Sequence, residues 1–374
     1  MNYKYFDNAS TTRVNYEVLK AYNEATELFY NPSALYLPSS KIKLDIEDCR
    51  NEFLRYFNAK PKSKFLFTSC ATESNNAVLR SCIRRKDKKY LVSAGEHSSI
   101  YNTAKAMINE GFNIDFVPIL ENGKVDCETL FSMVDEKTDF VSIIHVSNET
   151  GAVNDIKSIT KKLKQINPKI LVHSDGVQAV HKFDIDLTDL GVDFYTISAH
   201  KINGVRGIAG LYIAGNINFT PYIWGGAQEL GLRGGTENYA GIKAFTCALK
   251  LPNINYEYMQ KLKDRFLSLI EVPHKVVSPQ DAVPNIISIA FNGVRGETLV
   301  HILEDKGFLI GTGSACNSKD TINRVLQAMG IDRNYALGNI RISFETDCTI
   351  EDVEDLAKNI NLAVKDYLNK IVKR

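Results

Sequence analysis

Lys201 stands in Ser198-Ala199-His200-Lys201-Ile202-Asn203-Gly204, between two apolar stretches, Phe194–Ile197 and Ile208–Ile213. A lysine partly withdrawn from water there loses proton affinity and becomes a nucleophile for carbonyl compounds. Four other apolar stretches also end on chemistry. Lys64–Thr68 leads into Ser69-Cys70-Ala71-Thr72-Glu73, and Tyr90–Ser93 into Gly95-Glu96-His97. Phe140–Val146 leads into Asn148-Glu149, and Ile170–His173 into Asp175 and Gln178. Singly, each such residue is more often a helix cap or a satisfied structural group. Five ends together call for one ligand. Ser69–Thr72 opens a helix, so its free backbone amides and hydroxyls suit a phosphate, with Ser198 and His200 as further donors. Asp175, a carboxylate at a strand end, needs a cationic or hydrogen-bonding partner. A phosphate, a ring nitrogen for Asp175 and an aldehyde for Lys201 together describe pyridoxal 5'-phosphate, with His97 placed to stack on its ring.

The elements that must position these groups alternate. The apolar stretches, with Ile114–Pro118, read as short buried strands. Between them lie expected helices over Glu73–Arg84 and Ser98–Glu110, one capped by Asp126 and running through Val134, and one capped by Asp155 and reaching Ile166. Such alternation predicts a three-layer α/β domain around a mainly parallel sheet, whose ligands bind beyond the carboxyl ends of the strands. After about Pro252 the pattern changes. Helices near Tyr256–Ile270, Glu297–Lys306 and from Ile350 onward, with strands near Ile286–Phe291 and Ile340–Phe344, predict a smaller α+β domain. The expected division is 14–252 for the large domain, and 1–13 with 253–374 for the small one.

Composition narrows the class. The chain has 374 residues, 44% hydrophobic and 24% charged, which is enough to bury a large core without disulfides. A net charge of +1 gives no global field for nucleic acid or an anionic membrane. The basic run Arg84–Lys89 reads as a solvated helix end. No apolar run approaches a membrane span, and the start MNYKYFDNASTT has no signal-peptide pattern. Seven scattered cysteines without a CxxC pair argue against a disulfide scaffold or a zinc site, and make a reducing cytoplasm the expected compartment.

The ordered motifs resemble the cysteine desulfurases of the NifS/IscS type, in the class V group of aminotransferase-fold enzymes. They run from Asp7-Asn8-Ala9-Ser10-Thr11-Thr12 and Asn31-Pro32-Ser33 to Phe67-Thr68-Ser69-Cys70-Ala71-Thr72-Glu73-Ser74-Asn75 and Glu96-His97. They continue through Asn148-Glu149-Thr150-Gly151, His173-Ser174-Asp175-Gly176-Val177-Gln178 and Ser198-Ala199-His200-Lys201. The last are Arg233-Gly234-Gly235-Thr236-Glu237-Asn238, Gly313-Ser314-Ala315-Cys316 and Arg341-Ile342-Ser343. The resemblance covers nearly the whole chain and implies the type I aminotransferase fold.

It also implies roles. Lys201 would carry the cofactor's aldehyde and take the substrate's α-proton. Asp175 would keep the ring nitrogen protonated, and His97 would stack on the ring and move protons. Gln178 and Asn148 would hydrogen-bond near the ring oxygen. Ala71, Thr72, Ser198 and His200 would hold the phosphate, and Thr236 would reach the phosphate site of a second subunit in a homodimer. Arg341, assisted by Asn31, would bind the substrate carboxylate. Cys316, in Gly311-Thr312-Gly313-Ser314-Ala315-Cys316-Asn317-Ser318, is expected on a mobile exposed loop. Its thiolate would take sulfur from L-cysteine, leave L-alanine, and pass the sulfur to an acceptor protein of iron–sulfur assembly or of tRNA or cofactor thiolation.

Four positions depart from the family pattern. Cys70 stands where Gly is usual, Tyr36 where a His often follows Asn-Pro-Ser, Ala199 replaces a Gly, and Ser147 replaces an Asn. The remaining cysteines read as structural. Competing readings are a selenocysteine lyase or transaminase of the same fold, a non-enzymatic scaffold, and a cysteine hydrolase. A transaminase has no need of Cys316, and a hydrolase leaves Lys201 unexplained.

Overall fold

A computed structural model describes residues 3–215, 217–312 and 322–372. The chain runs β1 (Lys4–Phe6), α1 (Tyr16–Thr26), α2 (Leu37–Tyr56), β2 (Lys64–Thr68), α3 (Ala71–Cys82), β3 (Lys89–Ser93), α4 (Ser98–Asn109) and β4 (Asn113–Val117). It continues with α5 (Cys127–Met133), β5 (Thr138–Ser142), α6 (Ile156–Ile166), β6 (Leu171–Asp175), α7 (Leu187–Leu190), β7 (Phe194–Ser198) and β8 (Ala209–Ile213). The remainder is α8 (Tyr239–Leu249), α9 (Tyr256–Ser268), β9 (Lys275–Val276), β10 (Ile286–Ala290), α10 (Gly296–Asp305), β11 (Phe308–Thr312), α11 (Arg324–Ala328), α12 (Arg333–Leu337), β12 (Asn339–Ser343) and α13 (Ile350–Val372).

The large sheet has the order β2-β8-β7-β6-β5-β3-β4. All neighbours pair in parallel except those of β8, which runs against both β2 and β7. The reversal follows from length. Only ten residues separate β7 from β8, too few for the helical crossover that parallel strands need, so the chain returns antiparallel. Lys201 sits in that short return, in a single 3-10 turn over Ala199–Lys201.

Burial explains the strands. Every residue of β7 and β8 is buried, as expected for a sheet covered on both faces. The covering helices are amphipathic: α6 buries Ile156, Ile159 and Leu163 on one stripe and is capped by Asp155, whose side chain accepts from the Ser158 N–H. Asp126 caps α5 as expected, accepting from the Thr129 N–H. One apolar cluster fills the α1–α2–α8 side of the sheet, around Phe53, Phe65, Ile197 and Phe245. Another, around Val78, Tyr90, Ile100 and Phe140, fills the α3–α4 side.

The second sheet, β1-β11-β12-β10-β9, has its own apolar cluster under α9, α10 and α13, including Phe266, Ile287, Ile342 and Leu356. The fold is thus the expected α/β architecture of two domains. Two details differ from the sequence reading. The strand expected over Phe140–Val146 ends at Ser142. Beyond it only the Ile143 and His145 amides still bond to β6, on the carbonyls of His173 and Asp175, before Val146 bridges back to Val153 and the chain turns at Asn148. The β1 strand, too short to read by pattern, pairs in parallel with β11 some 300 residues later.

Candidate active site

A cavity of about 360 Å³ opens at the carboxyl ends of the large sheet, at its border with the second domain. That size suits a small-molecule cofactor with a substrate. Each wall comes from a different strand end. Cys70, Ala71 and Thr72 follow β2, His97 precedes α4, Asn148 follows β5, Asp175 closes β6 with Gln178 just beyond, and His200 and Lys201 follow β7. Arg341 enters from β12 of the second domain, and Ala9 and Ser10 from the N-terminal segment.

Lys201 donates to the carbonyls of Ala9 and Ser10 at 2.5 and 2.7 Å. Burial, with the nearby cations Arg341 and Lys182, pulls its amine down to about 8, although Asp7 and Asp175 act the other way. Asp175 is buried, and its two oxygens accept from Asn75 Nδ2 at 2.9 Å and from the Val177 N–H at 3.0 Å. Gly176 follows because a Cβ there would collide with the Tyr195 ring, whose hydroxyl lies 2.8 Å from His145 Nδ1. His97 caps α4 through Nδ1, which accepts from the Ser99 N–H at 3.2 Å. Its side chain is exposed and lines the cavity. Desolvation there lowers its proton affinity against the pull of Asp175. His200 is drawn down to about 4 by desolvation, with Lys201, Arg206 and His97 adding repulsion.

The β2–α3 turn is built to leave donors free. Cys70 holds the cap position of α3, but its side chain makes no capping bond, so the first amides of the helix face the cavity wall unclaimed. Glu73 locks the turn, accepting from Ser69 N–H at 2.8 Å and pairing with Arg233 Nε at 2.9 Å. Burial works against its charge, yet these bonds outweigh it and hold the carboxyl below its ordinary value. Ser198 is buried and its Oγ has no partner. An unpartnered buried hydroxyl, free helix amides, a buried carboxylate and a lysine whose amine is lowered to about 8 fit the phosphate, ring nitrogen and aldehyde of pyridoxal 5'-phosphate.

Arg341 spreads its fork over two acceptors, the Asn148 carbonyl at 2.8 Å and Asp7 Oδ1 at 2.9 Å, and its Nε is buried without a partner. Gly311 makes room, because a Cβ there would lie 2.5 Å from Asp7 Oδ1. Gln178 donates to the Ala9 carbonyl at 2.8 Å, and Asn148 Nδ2 to Glu149 Oε1 at 2.7 Å.

Nine residues named from sequence therefore line one cavity: Ala71, Thr72, His97, Asn148, Asp175, Gln178, His200, Lys201 and Arg341. Three do not. Ser198 lies buried just short of it, Thr236 is exposed, and Asn31 is exposed with its Oδ1 accepting from the Ser33 N–H at 2.9 Å. Cys316 lies outside the described residues. Of the cysteines read as structural, Cys49 and Cys348 are buried, whereas Cys70 is exposed and lines the cavity. Sequence reasoning gave no role to Ala9, Ser10, Asp7 or Asn75, although all four fall in motifs that carried the resemblance. Their signal was present, but what they touch is distant in the chain.

Comparison with known proteins agrees with this geometry. The aminotransferase class-V pattern matches residues 4–356. The cysteine desulfurase IscS of Clostridium botulinum is 33% identical, covering 99% of this chain and 94% of the relative. A solved NifS-like protein superposes with a TM-score of 0.90 at 33% identity, covering 97% of this chain and 99% of that one. The structure of SspA in complex with cysteine is similar at 28% identity and a TM-score of 0.82, covering 91% of this chain and 98% of the other.

Proposed function

The chain belongs to the aminotransferase class-V family, close to the IscS and NifS cysteine desulfurases, and from this we propose that it removes sulfur from L-cysteine, giving L-alanine and a persulfide on Cys316. The observation that carries the reading is the meeting of Lys201, Asp175, His97 and Arg341 around one cavity beside a helix N-terminus. Pyridoxal 5'-phosphate, when bound, supplies a ring that accepts the electron pair left at the α-carbon.

This chain's residues do the rest. Ala71 and Thr72 at the start of α3, with Ser198 and His200, hold the phosphate. Asp175, fixed by Asn75 and the Val177 amide, holds a proton at the ring nitrogen. Arg341 receives the substrate carboxylate, its Nε being free of other partners. Lys201, with an amine near 8, takes the α-proton at Nζ, and His97 moves protons beside it. The thiolate of Cys316 then bonds to the substrate sulfur as the carbon–sulfur bond breaks. The electron pair of that bond stays with carbon, which takes a proton to become L-alanine. Cys316 is assigned by its place in Gly313-Ser314-Ala315-Cys316. Thr236, exposed on this chain, serves the phosphate of a second copy in a homodimer. The sulfur passes to an acceptor protein, and the free thiol this requires suits a reducing cytoplasm.

The test is incubation with L-cysteine followed by intact-mass measurement and peptide mapping. One added sulfur on Cys316 with equimolar L-alanine is expected. No mass gain, or sulfur on another cysteine, overturns the reading.

A further inference from the structure

Lys201 borders a second cavity as well. Next to the main cavity lies a chamber of about 30 Å³, and the two share Ala9, Gln178 and Lys201 as lining residues. That volume admits a water molecule or two. Lys182 and Asn285 also line it.

Two groups in this chamber lack partners. Asn285 is buried and its Oδ1 accepts nothing. Lys182 is half-buried, and no hydrogen bond or ion pair of its ammonium is found among the described residues. A buried acceptor left bare is costly, so a water accepting from Lys182 and donating to Asn285 resolves both. The preceding residue, His181, adopts φ +65°, a left-handed conformation uncommon for a side-chain-bearing residue. It is fixed there by the Ile254 N–H on its carbonyl and by its own Nε2, 3.2 Å from the Leu249 carbonyl.

We propose that Lys182 is a positioning residue for Lys201: across a water-holding chamber its ammonium disfavours a second positive charge, so that a larger share of Lys201 stands neutral with its lone pair available. The inference rests on the assignment of Lys201 as the reactive amine. Other charged and titratable groups face Lys201 from every side: Asp7 on the N-terminal segment, Asp175 on β6, His97 before α4, His200 beside it and Arg341 on β12. Asp7 is already committed to Arg341, and Asp175 accepts from two donors, so neither neutralises Lys182. The amine of Lys182 is itself lowered to about 8 by burial, so its charge weakens as the pH rises past that value.

The experiment uses the full chain without cofactor. Trace acetylation with acetic anhydride across pH 6–10, read by peptide mass, gives the titration midpoint of Lys201, with exposed Lys157 as internal reference. Lys182→Gln and Lys182→Met should raise the midpoint so that labelling of Lys201 at pH 7 falls about three- to tenfold, whereas Lys182→Arg keeps the wild-type curve. An unmoved midpoint in the folded Gln or Met variant overturns the proposal, and so does an Arg variant that behaves like Gln. Failure of the catalytic assignment reads separately, as wild-type protein that takes up pyridoxal 5'-phosphate at a lysine other than Lys201.

Discussion

Gln178 and Lys201 donate to the same oxygen, the Ala9 carbonyl, at 2.8 and 2.5 Å. One comes from the turn after β6, the other from the return after β7, and Ala9 from the N-terminal segment. That segment is tied in turn to the second domain, because the Ala9 N–H donates to Ser343 Oγ of β12 at 2.8 Å. A single residue, Ala9, therefore joins the reactive lysine to the strand that carries Arg341.

Replacing Lys201 with alanine removes the amine on which the functional reading depends. Lys201→Ala, purified after growth with vitamin B6, should lack the visible absorption of bound cofactor while its far-ultraviolet circular dichroism stays unchanged. An intact absorption band in the variant would show that another amine carries the aldehyde.

Arg341 is the one guanidinium lining the cavity among the described residues. A hydrogen bond to a charged group contributes about 1.5–3 kcal/mol, which corresponds to roughly ten- to 150-fold in binding. Arg341→Ala should raise the KM for L-cysteine within that range, measured as alanine formation. A KM within twofold of wild type would remove Arg341 from the substrate site.

Cys316 separates two steps of the proposed reaction. Cys316→Ser should bind cofactor and still show a spectral change on adding L-cysteine, yet release no sulfide to a reductant. Sulfide release at the wild-type rate would reassign the nucleophile.

Cys70 occupies a cap position without capping. A serine oxygen there accepts from an early helix amide, and a capping residue contributes about 0.5–2 kcal/mol. Cys70→Ser should therefore stabilise the cofactor-free chain by about 1 kcal/mol in urea unfolding. It should also weaken cofactor binding, because the same amides are then claimed. Tighter binding together with unchanged stability would contradict this account of the turn.

Buried neutral histidines make the fold sensitive to acid. Burial draws His145 down to about 4 and His173 to about 3, against an ordinary value near 6.5. The unfolded chain takes up these protons first, so stability is complete above pH 6.5 and falls as the pH drops toward 4 and 3. Each histidine costs about 2 kcal/mol by pH 5. His145→Gln should show a smaller loss of urea midpoint between pH 7 and pH 5 than wild type, and an equal loss would count against the buried neutral state.

The parallel core was legible because its strands are continuous apolar runs that end where small and polar residues begin. That grammar led to Asp175, His97 and Lys201 without any knowledge of their neighbours. Arg341 was different: nothing local marks it, and only the motif resemblance singled it out. The short β1 strand and the Ala9 and Ser10 carbonyls carried no periodicity, since what fixes them is distant in the chain: β11 for the strand, Gln178 and Lys201 for the carbonyls. Asn31 and Thr236 show the converse. Their motifs are plain in sequence, yet a single copy of the chain leaves both side chains outside the cavity.

The threading of the N-terminal segment has a consequence for biosynthesis. Residues 7 to 9 contact Ser343 and the Lys201 amine at once, so the pocket wall cannot close while the chain is still emerging from the ribosome. The central sheet can form early during translation. The arginine assigned to the substrate carboxylate reaches its place only when the last tenth of the polypeptide is free to fold back onto the first.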